Sequence, residues 1–325
     1  MILAGDIGGT KTLIGLFDVA ERRPTQIKVR EFRTTAYPGL PSIIEEFRGV
    51  HRGHAPITAA AFGVAGPIIN QSADMTNVEW RVDGAELVRV LGIAQVRLLN
   101  DLEAMAYGVT VLDAHEVSTL QAGAPRAEGN IALIAAGTGL GESVLHRIGG
   151  HYVPVASEGG HTDFAGRTDR ELELVRFLRD RYGRAELEHI LSGPGILNLS
   201  DFTHQDGECV ALARTGADGP DVPAEITRAA LANECDRCVE ALNLFAAVYG
   251  AAAGNLALTA VTTGGVFIGG GIAPRILPAL RDGRFIAAFN DKGPMRPLLE
   301  AVPVQVILNA ESGLLGAAVY ANSMV

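Results

Sequence analysis

Asn100 and Asp101 are polar residues at a position typical of ligand binding. They follow a mostly apolar stretch at 96–99, which predicts a short buried strand, and the apolar residues of 102–109 recur at helical spacing. The pair therefore lies where a strand meets a helix, and ligands bind at that edge of an α/β sheet. Asn and Asp are also favoured helix N-caps, so either residue would serve equally well as a cap with no chemical role.

Two glycine-rich turns, at 8–11 and 137–139, are suited to bind phosphate, and each lies between two strand-like stretches. A tight glycine turn exposes successive backbone N–H groups, which suit phosphate oxygens. The first turn has neither the Gly-Lys-Ser/Thr of a Walker loop nor the Gly-x-Gly-x-x-Gly of a dinucleotide fingerprint. Alone it would be an ordinary hairpin, but its repetition about 130 positions later predicts two related domains with phosphates between them. Asp6, just before the first turn, is suited to hold Mg²⁺ through water.

A polar loop at 157–163 suits a sugar. It carries Glu158, His161 and Asp163 around paired glycines, and sugar hydroxyls need donors and acceptors at fixed positions. Zinc would need further ligands there, and no cysteine lies nearby in the sequence. Glu188 lies in a second polar segment, just before a Ser-Gly-Pro-Gly sequence that predicts a turn.

A glycine platform and a pair of cysteines lie further along the chain. The glycines at 269–271 follow an apolar stretch and let the backbone approach a flat group such as adenine. Cys235 and Cys238 have the spacing of residues on one face of a helix. A zinc or redox role would need partners that the sequence does not show, so both are predicted to be core thiols.

The composition is typical of a globular protein and limits the kinds of molecule that the protein is expected to bind. The 325 residues exceed one ordinary core, so two domains are expected. The net charge is −10 and no basic run is longer than residues 22–23, which argues against nucleic acid and an anionic membrane surface. Three cysteines are too few for a disulfide framework and fit a reducing cytosol.

One uncharged stretch, residues 241–274, is long enough to suggest a membrane span. Asn and Thr residues interrupt it, however, and its paired and tripled glycines would break a helix. We expect helical segments followed by a buried strand at 266–268, and no membrane association. Strand-like residues directly after Met1 leave no room for a signal peptide, so a cytoplasmic protein is expected.

The rest of the sequence predicts alternating strands and helices. The first ~110 residues follow the order β-β-β-α-β-α-β-α, which indicates a mixed sheet covered by helices. Predicted strands lie at 3–7, 12–18, 25–34, 59–65, 96–99, 131–136, 140–145, 266–268 and 302–308. Predicted helices lie at 40–48, 87–91, 169–182 and 313–320, with a helix-rich segment at 224–262 and a polar loop at 75–77.

Six motifs resemble, in order, those of the bacterial glucokinase family in its zinc-free branch. This family is part of the hexokinase/actin/Hsp70-like ATPase superfamily and is related to the repressor/open-reading-frame/kinase (ROK) family. The motifs are Gly-Asp-Ile-Gly-Gly-Thr at 5–10, Leu-Asn-Asp at 99–101, Gly-Thr-Gly-Leu-Gly at 137–141, Glu-Gly-Gly-His at 158–161, Leu-Ser-Gly-Pro-Gly at 191–195 and Gly-Val-Phe-Ile-Gly-Gly-Gly-Ile at 265–272.

The resemblance implies an α/β fold of two ribonuclease-H-like (actin-like ATPase) domains. Each would have a mixed β-sheet flanked by helices, with the active site in the interdomain cleft. The smaller domain would comprise residues 1–110 plus 312–325, with the first phosphate turn and the catalytic Asp. The larger, residues 111–311, would hold the second phosphate turn, the 157–163 loop and the glycine platform.

The resemblance also implies the reaction, which is the ATP-dependent phosphorylation of D-glucose at its 6-hydroxyl by a cytoplasmic homodimer that uses Mg²⁺. Asp101 would be the general base. Glucose would be held by Asn100, Asp101, Glu158, His161 and Glu188. ATP would be bound by Asp6, Gly8, Gly9, Thr10, Lys11, Gly137, Thr138, Gly139, Gly269, Gly270 and Gly271, and Asp6 would hold the metal through water.

Two features depart from the family pattern. Lys11 and Thr12 replace the more polar continuation of the glucokinase branch and resemble the ROK family. The cysteine-rich zinc loop that ROK proteins carry after the histidine is absent, because Asp-Phe-Ala follows at 163–165. This second difference favours the zinc-free branch.

Other functions remain open at this point. A kinase for fructose, mannose or an N-acetylhexosamine would share these motifs, and polyphosphate would be an alternative donor. A sugar-responsive regulator would need a DNA-binding segment, but the first hairpin starts at Leu3 with no helix-turn-helix before it. The polar loop at 158–161 disfavours a chaperone- or actin-like ATPase.

Overall fold

The structure, a computed structural model, describes residues 1–49, 56–75, 78–205, 207, 209 and 221–325. Its strands are β1 (Ile2–Ile7), β2 (Lys11–Asp18), β3 (Thr25–Arg33), β4 (Ala59–Val64), β5 (Ser72–Asp74), β6 (Arg81–Asp83), β7 (Gln95–Asn100), β8 (Val117–Gln121), β9 (Ile131–Ala136), β10 (Leu140–Ile148), β11 (His151–Ser157), β12 (Gly265–Gly269) and β13 (Val304–Ile307). The α-helices of the described residues are α1 (Leu40–Gly49), α2 (Gly84–Leu91), α3 (Asp101–Val109), α4 (Asp169–Tyr182), α5 (Gly193–His204), α6 (Val222–Leu231), α7 (Asp236–Ala260), α8 (Leu277–Leu280), α9 (Arg284–Asn290), α10 (Arg296–Glu300) and α11 (Ser312–Asn322). Thr76 and Asn77, part of the predicted polar loop, lie outside the described residues.

The chain divides into two compact units. The first comprises Met1–Ala114, Tyr152–Ala156 and Asn309–Val325, and the second comprises His115–His151 and Ser157–Leu308.

The first unit is built on a sheet with the strand order β3-β2-β1-β4-β7. β1 pairs antiparallel with β2 and parallel with β4, and β4 pairs parallel with β7. β4 is buried along its whole length, as expected for a parallel strand covered on both faces. Helices α1 and α2 pack on one face and α3 and α11 on the other. The carboxyl ends of β1, β4 and β7 therefore meet at one edge, where Asp6 and Asn100 lie.

The second unit repeats this arrangement over four strands, in the order β10-β9-β12-β13, and β8 pairs antiparallel with β13 beyond the repeat. β9 pairs antiparallel with β10 and parallel with β12, and β12 pairs parallel with β13. These are the directions of β1 with β2, β1 with β4, and β4 with β7. The two-fold repetition predicted from the glycine turns is thus present in the strand topology, and the α/β fold class is confirmed.

Helix α7 is long and apolar enough to cross a membrane by length and composition. In the structure 67% of its most apolar window is buried, and Leu242, Phe245 and Tyr249 belong to the core of the second unit. The uncharged stretch thus folds into a core helix followed by strand β12, as the sequence predicts.

The predicted elements are otherwise confirmed, with two differences. The Ser-Gly-Pro-Gly sequence is not a turn but the start of α5, where Ser192 is the N-cap and accepts a 3.0 Å hydrogen bond from the N–H of Gly195. Proline at 194 fits the first helical turn because its missing N–H would have no partner there. The short strands β5, β6 and β8 have too few residues for a periodic signal and were not predicted. Strand β11 and the short helices α8, α9 and α10 were not predicted either.

Candidate active site

Asn100 and Asp101 lie at the carboxyl ends of the parallel strands of the first unit. Asn100 is the N-cap of α3, because its Oδ1 accepts from the N–H groups of Leu102 (3.0 Å) and Glu103 (3.4 Å). Its Nδ2 donates to the carbonyl oxygen of Gly66 (3.1 Å). Asp101 is exposed, and its Oδ1 accepts from the N–H of Leu102 (2.8 Å). Asn100 is therefore the cap, accepting from two N–H groups of the helix, and Asp101 shares one of them.

Asp6 lies at the end of β1, within electrostatic range of Asp101. Burial and, to a smaller extent, the charge of Asp101 raise the pKa of Asp6 from 3.8 to about 6, while Lys11 opposes them. Gly313 leaves room for this carboxylate, since a Cβ at that position would lie 2.9 Å from Oδ2 of Asp6. A desolvated carboxylate beside the first glycine turn fits a hard cation such as Mg²⁺ held through water.

The first glycine hairpin is braced by Thr34, which sequence reasoning did not identify. The N–H of Gly8 donates to the carbonyl oxygen of Lys11 (3.0 Å) and closes the turn. Thr34 donates its N–H to the carbonyl of Thr10 (3.0 Å) and its hydroxyl to the carbonyl of Gly8 (2.8 Å). The ammonium group of Lys11 forms an exposed ion pair with Glu31 (3.2 Å).

The second glycine hairpin is held by the segment that contains Glu188. The N–H of Gly137 donates to the carbonyl of Gly139 (2.8 Å), and the N–H of Gly193 donates to the carbonyl of Gly137 (2.9 Å). Oε2 of Glu188 accepts from the N–H of Leu140 (2.8 Å). A Cβ at position 139 would lie 2.6 Å from that same oxygen and would displace the carboxylate. Glu188 therefore positions the hairpin with one of its two carboxylate oxygens.

The glycine platform adjoins this hairpin through the ends of β9 and β12. Gly270 has a φ of +82°, and a Cβ there would clash with the carbonyl of Ala136. The fully buried Tyr249 joins the two strands. Its hydroxyl accepts from the N–H of Ala136 (3.2 Å) and lies 3.1 Å from the carbonyl oxygen of Ile134 and 3.3 Å from that of Gly269. The tyrosine was not predicted, because this contact joins residues more than 100 positions apart.

In the 157–163 loop, Glu158 and His161 are exposed, and Glu186 orients the imidazole. Oε2 of Glu186 lies 3.3 Å from Nδ1 of His161, and its Oε1 lies 3.3 Å from Nε2 of His189. The side chain of Glu186 is 16% exposed, against 55% for His161. A half-buried carboxylate thus holds an exposed imidazole. Glu186 was also missed from sequence, although its spacing from His189 matches the capping box seen here.

Glu142 lies behind the same loop. It is buried, and burial raises its pKa from 4.5 to about 7. Gly159 packs against its carboxylate, with which any Cβ would clash. Together with Arg167 and Lys292 these residues line a cavity of about 480 Å³ in the second unit.

Each unit brings together part of the predicted site. Asp6, the first hairpin, Asn100 and Asp101 converge at one sheet edge of the first unit. In the second unit a 3.0 Å hydrogen bond from the N–H of Leu187 to the carbonyl of Thr162 joins the 157–163 loop to the segment of Glu188. The second hairpin and the glycine platform adjoin that segment.

The chain is similar to known glucokinases in sequence and in fold. The glucokinase family model matches residues 3–324. The glucokinase of Nostoc punctiforme is 38% identical over 338 residues, which cover 99% of this chain and 98% of that protein. The crystal structure of a glucokinase from an Antarctic psychrotroph has a TM-score of 0.87 and 32% identity, covering 99% of this chain and 98% of the other. A ROK family glucokinase from Streptomyces griseus, solved in complex with glucose and AMPPNP, shares the fold at a TM-score of 0.67 and 22% identity, with 99% of each chain covered.

Proposed function

The chain belongs to the glucokinase family, and from that premise we propose how its residues carry out the ATP-dependent phosphorylation of glucose. The product is glucose 6-phosphate, and Asp101 is the general base. The observation that carries this assignment is the division of roles at the start of α3, where Asn100 caps the helix and leaves an exposed carboxylate next to it.

Asp101 takes the proton of the 6-hydroxyl as the phosphoryl group is transferred. A sugar hydroxyl is a poor nucleophile, and a positioned base typically contributes about 10²–10⁴-fold to the rate. Most of the remaining acceleration comes from alignment and from donors directed at the transferring group.

Asn100, Asp101, Glu158, His161 and Glu188 hold glucose through their polar side chains. Glu188 has one oxygen on the N–H of Leu140, so the other is the acceptor for a sugar hydroxyl.

ATP phosphates bind to the backbone N–H groups of the two hairpins, and the adenine lies on the glycine platform at 269–271. Mg²⁺ fits beside the carboxylate of Asp6 by charge, and when bound it would neutralise phosphate charge. Asp6 would hold it through water, and Gly313 leaves room for that carboxylate. The two catalytic domains are proposed to be 1–110 plus 312–325 and 111–311, in a cytoplasmic homodimer.

A coupled assay tests the proposed function. The purified protein is offered glucose, fructose, mannose and N-acetylglucosamine with ATP, ADP or polyphosphate as the donor. Formation of glucose 6-phosphate with ATP at the highest kcat/KM supports the proposal. A higher kcat/KM for another sugar or donor would reassign the substrate.

Glu188→Gln is expected to weaken glucose binding without loosening the hairpin. Glutamine keeps a carbonyl oxygen for the N–H of Leu140 but replaces the second acceptor by a donor. Loss of a charged hydrogen bond should cost roughly 1.5–3 kcal/mol of glucose binding, measured by calorimetry. Glu173→Gln, on the exposed face of α4, is the matched control and should leave affinity unchanged. Unchanged affinity in Glu188→Gln would show that this residue only positions the hairpin.

A further inference from the structure

Four metal-ligating side chains lie together outside the candidate active site. His204 is at the end of α5, Cys209 lies in the following segment, and Cys235 and Cys238 lie at the start of α7. One ligand atom from each lies within 4.8 Å of those of the others. These three cysteines are all that the chain contains. The partners that the sequence did not show for Cys235 and Cys238 are therefore His204 and Cys209.

The distances fit a tetrahedral metal. Nε2 of His204 lies 3.4 Å from Sγ of Cys235 and 3.9 Å from Sγ of Cys238, and Sγ of Cys238 lies 3.6 Å from Sγ of Cys209. Zinc binds sulfur at about 2.3 Å and imidazole nitrogen at about 2.0–2.1 Å, so tetrahedral ligands are roughly 3.5–3.8 Å apart. Three of the six distances among the four ligand atoms are thus close to the spacing that a zinc ion imposes, and all six lie within 4.8 Å.

The surroundings orient the ligands. Nδ1 of His204 lies 2.8 Å from the carbonyl oxygen of Ser200, so Nδ1 carries the proton and Nε2 directs its lone pair at the sulfurs. The backbone N–H groups of Arg237 and Cys238 donate to Sγ of Cys235. Backbone donors on a sulfur and a carbonyl acceptor behind a histidine are the supporting bonds that metal ligands need.

The charge and the burial of the four side chains also fit a zinc site. One Zn²⁺ with three thiolates and a neutral imidazole carries a net charge of −1. The guanidinium of Arg237, which donates to the carbonyl of His204, is a nearby positive charge. His204, Cys209 and Cys238 are buried, and all four positions of a tetrahedron would be filled by protein. A closed, four-ligand site is structural rather than catalytic.

We propose that His204, Cys209, Cys235 and Cys238 bind one Zn²⁺ ion in a structural site. Binding replaces the three thiol protons, which are released to solvent, and involves no change of oxidation state. The site contains none of the residues of the 157–163 loop, so it is separate from the position of the missing cysteine-rich loop. It joins the end of α5 to the start of α7.

The site would stabilise the second unit from a distance. The first turn of α5 holds the second hairpin, through the hydrogen bond from Gly193 to Gly137. The last residue of the same helix, His204, would be a zinc ligand. Zinc removal is therefore expected to lower the melting temperature of the second unit, since binding to the folded state stabilises it by mass action.

The test is the zinc content of the full-length protein, purified with reduced thiols. Wild type and the control His115→Gln, which changes an exposed histidine, should each contain about one zinc per chain. Cys235→Ser and His204→Gln each remove a zinc ligand. Their zinc affinity should fall by more than the roughly 10–100-fold that is lost when only a hydrogen bond to a ligand is removed. Co²⁺ added to metal-free wild type should give the ligand-field and thiolate charge-transfer bands of a tetrahedral site.

The Co²⁺ spectrum and the zinc content of wild type do not depend on any variant folding. Wild type that binds neither Zn²⁺ nor Co²⁺ at the thiols, or that forms a Cys209–Cys238 disulfide in place of the metal site, would overturn the proposal. So would a folded Cys235→Ser protein that keeps its zinc.

Discussion

Asp101→Asn is expected to lower kcat about 100-fold or more without lowering the melting temperature. Asparagine cannot accept the proton of the 6-hydroxyl, but its carbonyl oxygen can still accept from the N–H of Leu102. The cap of α3 is made by Asn100 and remains intact in the variant. Steady-state kinetics with glucose and ATP, together with thermal unfolding, distinguish a general base at position 101 from a residue that only caps the helix.

The matched control for this substitution is Asp83→Asn. Asp83 is the N-cap of α2 in the same unit, and its Oδ1 accepts from the N–H of Glu86 (3.0 Å). Asparagine caps as well as aspartate, so turnover and melting should both stay near wild type. Near-normal turnover in well-folded Asp101→Asn would remove the general base from the mechanism.

The sequence predicted the parts of the fold that are encoded locally. Helix α4 spans the predicted residues because Thr168 caps its start and Gly183 adopts the left-handed conformation after its end. The two glycine hairpins were found in the same way, from apolar stretches on either side of a turn. Asn100 and Asp101 were located correctly, but which of them caps the helix could be decided only from side-chain geometry.

The supporting residues could not be predicted, because they act across the fold. Tyr249 joins two strands from the middle of a helix, and its surroundings in the sequence are those of any core residue. Thr34 braces a turn more than 20 positions before it. The full set of proposed zinc ligands could not be found from the sequence for the same reason. His204 lies on a different helix from Cys235, at a sequence separation that matches no common zinc motif.

Asp6→Asn is expected to have opposite effects on stability and on activity. Burial and the charge of Asp101 raise the pKa of Asp6 from 3.8 to about 6 in the folded protein. Between these values the folded chain binds a proton that the unfolded chain has lost, so the free energy of unfolding falls as the pH rises from 4 to 6. Above that range the ionised carboxylate destabilises the ligand-free fold by roughly 2–3 kcal/mol.

Asparagine removes this unfavourable charge, so the variant should be more stable than wild type at neutral pH and the difference should vanish near pH 4. Its requirement for Mg²⁺ should rise by roughly 10–100-fold, because a carboxylate that holds the metal through water is lost. The measurements are unfolding without ligand at several pH values and activity against Mg²⁺ concentration, with Asp18→Asn, an exposed residue of β2, as the control.

Greater stability of Asp6→Asn with an unchanged Mg²⁺ requirement would show that Asp6 is a destabilising buried carboxylate with no part in metal binding. Reduced stability at neutral pH would contradict the inferred charge state, because a desolvated carboxylate beside a second one should cost the ligand-free fold free energy.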